Sequence, residues 1–393
     1  MSTRCTPETL SVTRTPLIVS FTETAAFTET YGFAGSQGKV FLEGQLIRPE
    51  TASETVLIFM HPASTLNLMP LPMAMAEAGH HVICAASRYA KNDTALIMEK
   101  VVADLGAYVR HAKEVLGYSK VVITGWSGGG SLALFYQSQA EGPTLTDTPA
   151  GDPYDLTKAN LIPADAVTFV AAHTGRARIL AEWIDPSVVD EANPDSREPT
   201  LDLYGSEVPQ PPYTQDFITV FRAVQTARIR RITDRAQRML VQLKTRNGAE
   251  VERPFIVHRT LADPRFLDPT LEPNGRPAGT CYLGVPETVN SGPVGLARFT
   301  TLRAWLSQWS PLSRADALDT VPRIKAPLLV LENGADDAVP TSHPQQVFAA
   351  AQMDDKTYVT IPEASHYYRD QPEQLAEAVR TLANWLGARG LAP

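Results

Sequence analysis

Val121-Val122-Ile123-Thr124-Gly125-Trp126-Ser127-Gly128-Gly129-Gly130-Ser131 is the stretch whose reading decides the fold. Its first four residues form an apolar, β-branched run of strand length, and residues 131–139 continue in a helix-compatible pattern. Between them stands Gly-x-Ser-x-Gly, with Gly125 and Gly129 two residues either side of Ser127. A sharp turn from strand into helix forces its central residue into a strained conformation, and flanking residues without side chains avoid the clash. The Ser127 hydroxyl is then expected to project at the C-terminal end of the strand, beside the positive end of the next helix. A phosphate cradle is a poor account of the same glycines, because neither G-x-x-x-x-G-K-[ST] nor G-x-G-x-x-G occurs there.

Outward from this turn, short apolar runs alternate with helical patterns, the signature of a sheet built from βαβ units. Upstream, residues 39–48 alternate as a half-buried strand, while 56–60 and 81–86 are continuous apolar runs suited to strands covered on both faces. Downstream, 166–172, 327–331 and 356–361 repeat that character. Residues 94–116 carry Ile97, Val101, Leu105, Tyr108 and Val115 near the helical period, and 373–386 read as a last amphipathic helix. The expected class is therefore α/β, with a mostly parallel central sheet flanked by helices.

The long gap between the strands near His173 and Pro327 is the main architectural clue. A one-helix crossover takes a dozen or so residues, whereas 174–320 is domain-sized. The expected division is a core of 1–173 plus 321–393, with 174–320 inserted as a mainly helical cap. Its first part is rich in proline (Pro186, Pro194, Pro199, Pro209, Pro211, Pro212) and reads as wrapping chain. Residues 214–246 then read as a long helix, and 296–309 suggest another. Trp183, Trp305 and Trp309 are read mostly as core of this segment, with room for some to line an apolar pocket.

A serine hydroxyl needs a base before it attacks, and the base needs a third group to set its tautomer. The late loops supply both: Glu332-Asn333-Gly334-Ala335-Asp336-Asp337-Ala338-Val339-Pro340 follows one strand, and Pro362-Glu363-Ala364-Ser365-His366-Tyr367 follows the last. With the Gly-x-Ser-x-Gly turn before them, these loops resemble the α/β-hydrolase superfamily over roughly residues 39–173 and 321–388. The resemblance implies Ser127 as nucleophile, His366 as base and Asp336 as orienting acid. Asp336 matches the acid-loop pattern better than Asp337, but Asn333 stands where glycine is frequent, so a shift of one residue keeps Asp337 as the alternative. It also implies an oxyanion hole from the amides of Gly128 and, in His61-Pro62-Ala63-Ser64, of Ala63. The family more often has His-Gly there, and Pro62 has no N–H to offer. A serine at the turn disfavours haloalkane dehalogenases and epoxide hydrolases, which have aspartate, and dienelactone hydrolases, which have cysteine.

The activity so implied is that of a carboxylesterase- or lactonase-like serine hydrolase. It would cleave an ester or lactone, or an amide, of a partly apolar small molecule, with no cofactor and no metal. His173 and Trp126 are candidate substrate contacts. Three alternatives stay open. A carbon–carbon bond hydrolase of the meta-cleavage type would be favoured by a carboxylate-binding arginine near the pocket. An acyltransferase would need an alcohol that outcompetes water. A ligand receptor on the same fold would need no histidine in register.

Composition narrows the partners. The 393 residues are 44% hydrophobic and 20% charged, as in ordinary globular chains, and the net charge of −8 disfavours nucleic acid. Arg222, Arg228, Arg230, Arg231, Arg235 and Arg238 therefore read as a solvated helix face. Cys5, Cys84 and Cys281 fit neither a disulfide framework nor a CxxC site, and His80-His81 has no further ligand at metal spacing. Residues 1–15 lack the apolar core of a signal peptide, and no stretch approaches the roughly 20 apolar residues of a membrane span. A cytoplasmic, reduced protein that avoids membranes is the expectation, with homo-oligomerisation left open.

Overall fold

The structure, a computed structural model, describes residues 10–23, 38–246, 248 and 250–393. Ten strands occur among them: β1 (Val12–Thr22), β2 (Lys39–Pro49), β3 (Thr55–His61), β4 (His81–Ala86), β5 (Lys120–Trp126), β6 (Ala166–Val170), β7 (Pro254–Ile256), β8 (Phe299–Thr301), β9 (Leu328–Asn333) and β10 (Lys356–Ile361). Eight form one sheet in the order β1-β2-β4-β3-β5-β6-β9-β10. β1 and β2 are antiparallel to their neighbours, and the other six run parallel, with Val56 opposite Val121 and Val167 opposite Leu328.

Residue type explains the layering. β3, β4, β6 and β9 are buried at every position, as continuous apolar runs demand when helices cover both faces. One face packs on α2 (Met98–Glu114) and α3 (Gly128–Glu141) through Leu105, Tyr108, Leu132 and Tyr136. The other packs on α1 (Pro70–Glu77) and the last helix (Pro372–Gly387) through Leu71, Met75, Leu382 and Leu386. The expected helix over 94–116 is shorter, and a single turn, closed by the Leu96 amide on the Asp93 carbonyl at 3.1 Å, precedes it. β1 was not foreseen: only Leu17 and Val19 point inward from a run of Thr, Arg and Ser, and the strand is held by pairing with β2 along its whole length.

Between β6 and β9 the chain leaves the sheet. It forms α4 (Arg176–Trp183), α5 (Gln215–Arg246), α6 (Pro286–Ser291), the short turns α7 (Leu302–Ala304) and α8 (Ala317–Thr320), and the β7–β8 ladder. Leu180, Ile229, Ile232, Trp305 and Trp309 make a hydrophobic cluster of its own. By Ala315 and Ala317 the chain has rejoined the cluster under the main sheet. Where a helix was expected over 296–309, Phe299–Thr301 pairs with Pro254–Ile256, and Trp305–Trp309 closes as a π-helical turn. The β-branched pair Thr300-Thr301 gains more from that ladder than from helix.

α5 follows the expected span, but its arginines divide. Arg230, Arg231, Arg235 and Arg238 are exposed as a solvated face requires, whereas Arg228 is fully buried. Its Nε and one terminal nitrogen each donate to Glu191 at 2.8 Å, and the other terminal nitrogen donates to the Asp185 carbonyl at 2.7 Å. Cys84 and Cys281 are free and buried, with the Cys84 thiol pushed by burial up to about 12; Cys5 lies outside the described residues. His81 bridges the Tyr118 hydroxyl and the Thr51 carbonyl, a structural role. Among the described residues, no helix is long and apolar enough to cross a membrane.

Candidate active site

β5 runs into α3 with one residue between them, and that residue, Ser127, has φ 54° and ψ −124°. Such a backbone costs on the order of 1–3 kcal/mol and persists only where the surroundings hold it. Its N–H donates towards the carbonyls of Val170 (3.3 Å) and Ala171 (3.2 Å) at the end of β6. The glycines are required by contact. A Cβ on Gly125 would lie 2.4 Å from the Gly129 carbonyl oxygen, and one on Gly129 would lie 2.2 Å from that of Met60. Gly128, first residue of α3, presents one of the unpaired N-terminal amides of that helix.

The loops after β9 and β10 bring Asp336 and His366 together. His366 Nδ1 is 2.9 Å from Asp336 Oδ2, and both side chains are buried. Asp336 Oδ1 accepts the amides of Ala338 and Val339, each at 2.8 Å. A carboxylate oxygen accepts, so the shared proton sits on Nδ1. Nε2 is buried without a hydrogen-bond partner among the described residues. The imidazole packs on Trp126, with ring centroids 4.6 Å apart. Asp337 makes no such contact with His366; burial and the neighbouring Asp336 charge raise its pKa.

The loop after β3 differs from the expected arrangement. The Ala63 amide, taken from the sequence as a free donor, instead donates to His61 Nδ1 at 3.1 Å, joined by the Ser64 amide at 3.0 Å. Two amides on Nδ1 place the His61 proton on Nε2. That atom stands beside the serine turn: a Cβ on Gly128 would be 2.8 Å from it. Burial, then the Arg176 charge, hold His61 well below the usual imidazole range, so it is neutral at pH 7. The donor next to Gly128 is thus a side-chain N–H, which no backbone pattern in the sequence reveals.

A cavity of about 310 Å³ opens at Ser127, with His61, Trp126 and His173 also in its wall. The segment between β6 and β9 adds Arg176, Ile179, Trp183, Tyr282 and Leu296 to the lining. His173 lies just past β6, where its Nε2 would be 3.6 Å from a Cβ on Gly128. Burial, then the charge of His343, keep its pKa well below normal, and its Nδ1 has no partner among the described residues. Arg176 went unnoticed in the sequence; a position directly after the sixth strand, on the rim where the serine emerges, is the signal that could have found it. Among the described residues no group of three or more His, Cys, Asp or Glu could hold a metal ion.

No protein-family model and no curated protein matches the sequence. Solved structures do match by shape. DcsB in complex with its substrate analogue aligns over 95% of this chain and 99% of its own, at 12% identity and a TM-score of 0.51. The α/β hydrolase GrgF from Penicillium sp. sh18 aligns over 95% and 98%, at 11% identity and 0.51. At such identities the likeness concerns the path of the chain, and with the sheet order and the strained serine turn it leads to one family of folds. This chain has the α/β-hydrolase fold.

Proposed function

We propose that the protein is a serine hydrolase that cleaves an ester or lactone of a partly apolar small molecule through an acyl-enzyme on Ser127. The observation that carries this reading is the pairing of His366 with Asp336, which turns a buried, unpartnered Nε2 away from the carboxylate on a ring that packs against Trp126, the residue before Ser127. In the first step His366 Nε2 takes the Ser127 proton as Oγ adds to the carbonyl carbon. In this reading the Gly128 amide and His61 Nε2–H, near each other at the serine turn, hold the negative oxygen. The intermediate then collapses, the leaving oxygen receives the proton from His366, and the acyl group stays on Ser127. Water, deprotonated by His366, repeats the addition, and expulsion of Ser127 releases the acid.

The segment over residues 174–320 acts in this reading as a cap. Ile179, Trp183, Tyr282 and Leu296 give the cavity an apolar roof, which suits a substrate with an apolar body. A second reading, hydrolysis of a carbon–carbon bond in a ketonic acid, draws support from Arg176 in the same wall. A fluorophosphonate should label Ser127, and Ser127→Ala should abolish turnover of p-nitrophenyl esters while the thermal melt is preserved. Labelling at another residue, with full activity in Ser127→Ala, overturns the proposal.

A further inference from the structure

Lys91 and Arg176 lie on the cavity wall but take no part in the steps above. Lys91 has φ 70°, a left-handed conformation that a residue with a side chain adopts only at a cost. Its amide, donating to the Ala63 carbonyl at 2.8 Å, ties that conformation to the loop beside the serine turn. The ammonium is on an exposed residue and has no ion-pair partner among the described residues. Arg176 is 6% exposed; its guanidinium lies 4.2 Å over the Trp309 ring, and one terminal nitrogen binds the Asp93 carboxylate.

The cavity lacks charge balance, because Asp93, ion-paired with Arg176, offsets one of its two cations. Acceptor oxygens that bear negative charge restore it.

We propose that the substrate carries a carboxylate besides its scissile carbonyl, and that Lys91 and Arg176 hold it in the cavity. This rests on the serine-hydrolase reading and narrows it to half-esters and lactone acids. A carboxylate presents two acceptor oxygens, enough for the Lys91 ammonium and the Arg176 guanidinium together. Held at that wall, it fixes the acyl chain relative to Ser127, so part of the binding energy serves orientation.

The test compares p-nitrophenyl hydrogen glutarate with p-nitrophenyl hexanoate, a neutral ester of similar length. The glutarate should be favoured in kcat/KM by about tenfold to a hundredfold at low salt, with the preference shrinking as salt rises. Lys91→Met should lower that ratio about tenfold, and Lys91→Arg should keep most of it. Lys91 is exposed, so these variants should fold. Calorimetry on Ser127→Ala gives a readout without turnover, in which the glutarate ester should bind at least tenfold tighter than the hexanoate. Equal affinity, or a ratio unmoved by Lys91→Met, overturns the proposal. Ser127-dependent hydrolysis of hexanoate without preference for glutarate removes the carboxylate site and leaves the serine hydrolase standing. Selective glutarate binding without labelling or turnover does the reverse.

Discussion

His366 Nδ1 lies 2.9 Å from Asp336 Oδ2, while the second oxygen of that carboxylate is tied by the amides of Ala338 and Val339. The two amides hold the carboxylate in place, and the carboxylate in turn sets the imidazole tautomer. Asp337, one residue on, instead offers its backbone carbonyl to the Tyr282 amide at 3.3 Å.

Asp336→Asn should therefore lower kcat by on the order of 10⁴-fold with folding intact, because the amide stabilises the wrong tautomer. Asp337→Asn should cost about tenfold or less. Steady-state rates on one ester decide it, and the reverse order of the two variants would reassign the acid.

His61→Ala removes the side-chain donor beside Gly128 and should lower kcat by about 10²- to 10³-fold. It also frees the Ala63 amide from Nδ1. A loss under about fivefold would mean that Ala63 supplies the oxyanion contact after all.

Gly129→Ala tests the turn itself. A methyl group there would meet the Met60 carbonyl at 2.2 Å, so β3 and α3 must separate. The variant should melt several degrees lower and lose fluorophosphonate labelling, whereas an undisturbed melt would contradict the packing.

Glu99 gives a pH-dependent outcome that does not involve Ser127, Asp336 or His366. It is fully buried, burial raises its pKa from 4.5 to about 7, and only one of its oxygens is bonded, to Ser307 at 2.8 Å. Between pH 4.5 and 7 the folded state holds the proton that the unfolded state has lost, so this group's stability is lost as pH rises through about 7. Glu99→Gln should then stabilise the protein by up to about 3 kcal/mol at pH 8 and by little at pH 4.5. Denaturant titrations at the two pH values measure it, and equal effects at both would refute the assignment.

Leu296→Ala enlarges the apolar roof of the cavity. It should shift kcat/KM between short- and long-chain esters by about 10- to 200-fold while Ser127 labelling persists. A uniform loss on all esters would place Leu296 in stability rather than selection.

The parallel strands were legible because each is a short apolar run, and burial on both faces leaves little else for such runs to be. β1 was not, since two inward residues make too weak a pattern without β2 beside it. α4 was hidden as well: its eight residues begin with Arg176-Ala177-Arg178, and only packing against Trp305–Trp309 and α5 shows which side is inner.

The sequence by itself determined the strand–serine–helix turn, the order of serine, acid and histidine, and the size of the segment between β6 and β9. Those are local in the chain: a strained φ needs its glycines nearby, and a loop follows its own strand. Tertiary structure alone decided which of two adjacent aspartates faces His366 and that the Ala63 amide binds His61 Nδ1 while His61 Nε2 stands near Gly128. It also decided that Lys91 and Arg176, 85 positions apart, share a wall with Ser127. Direction of a side chain and proximity across the chain arise from packing, which spacing along the sequence does not encode.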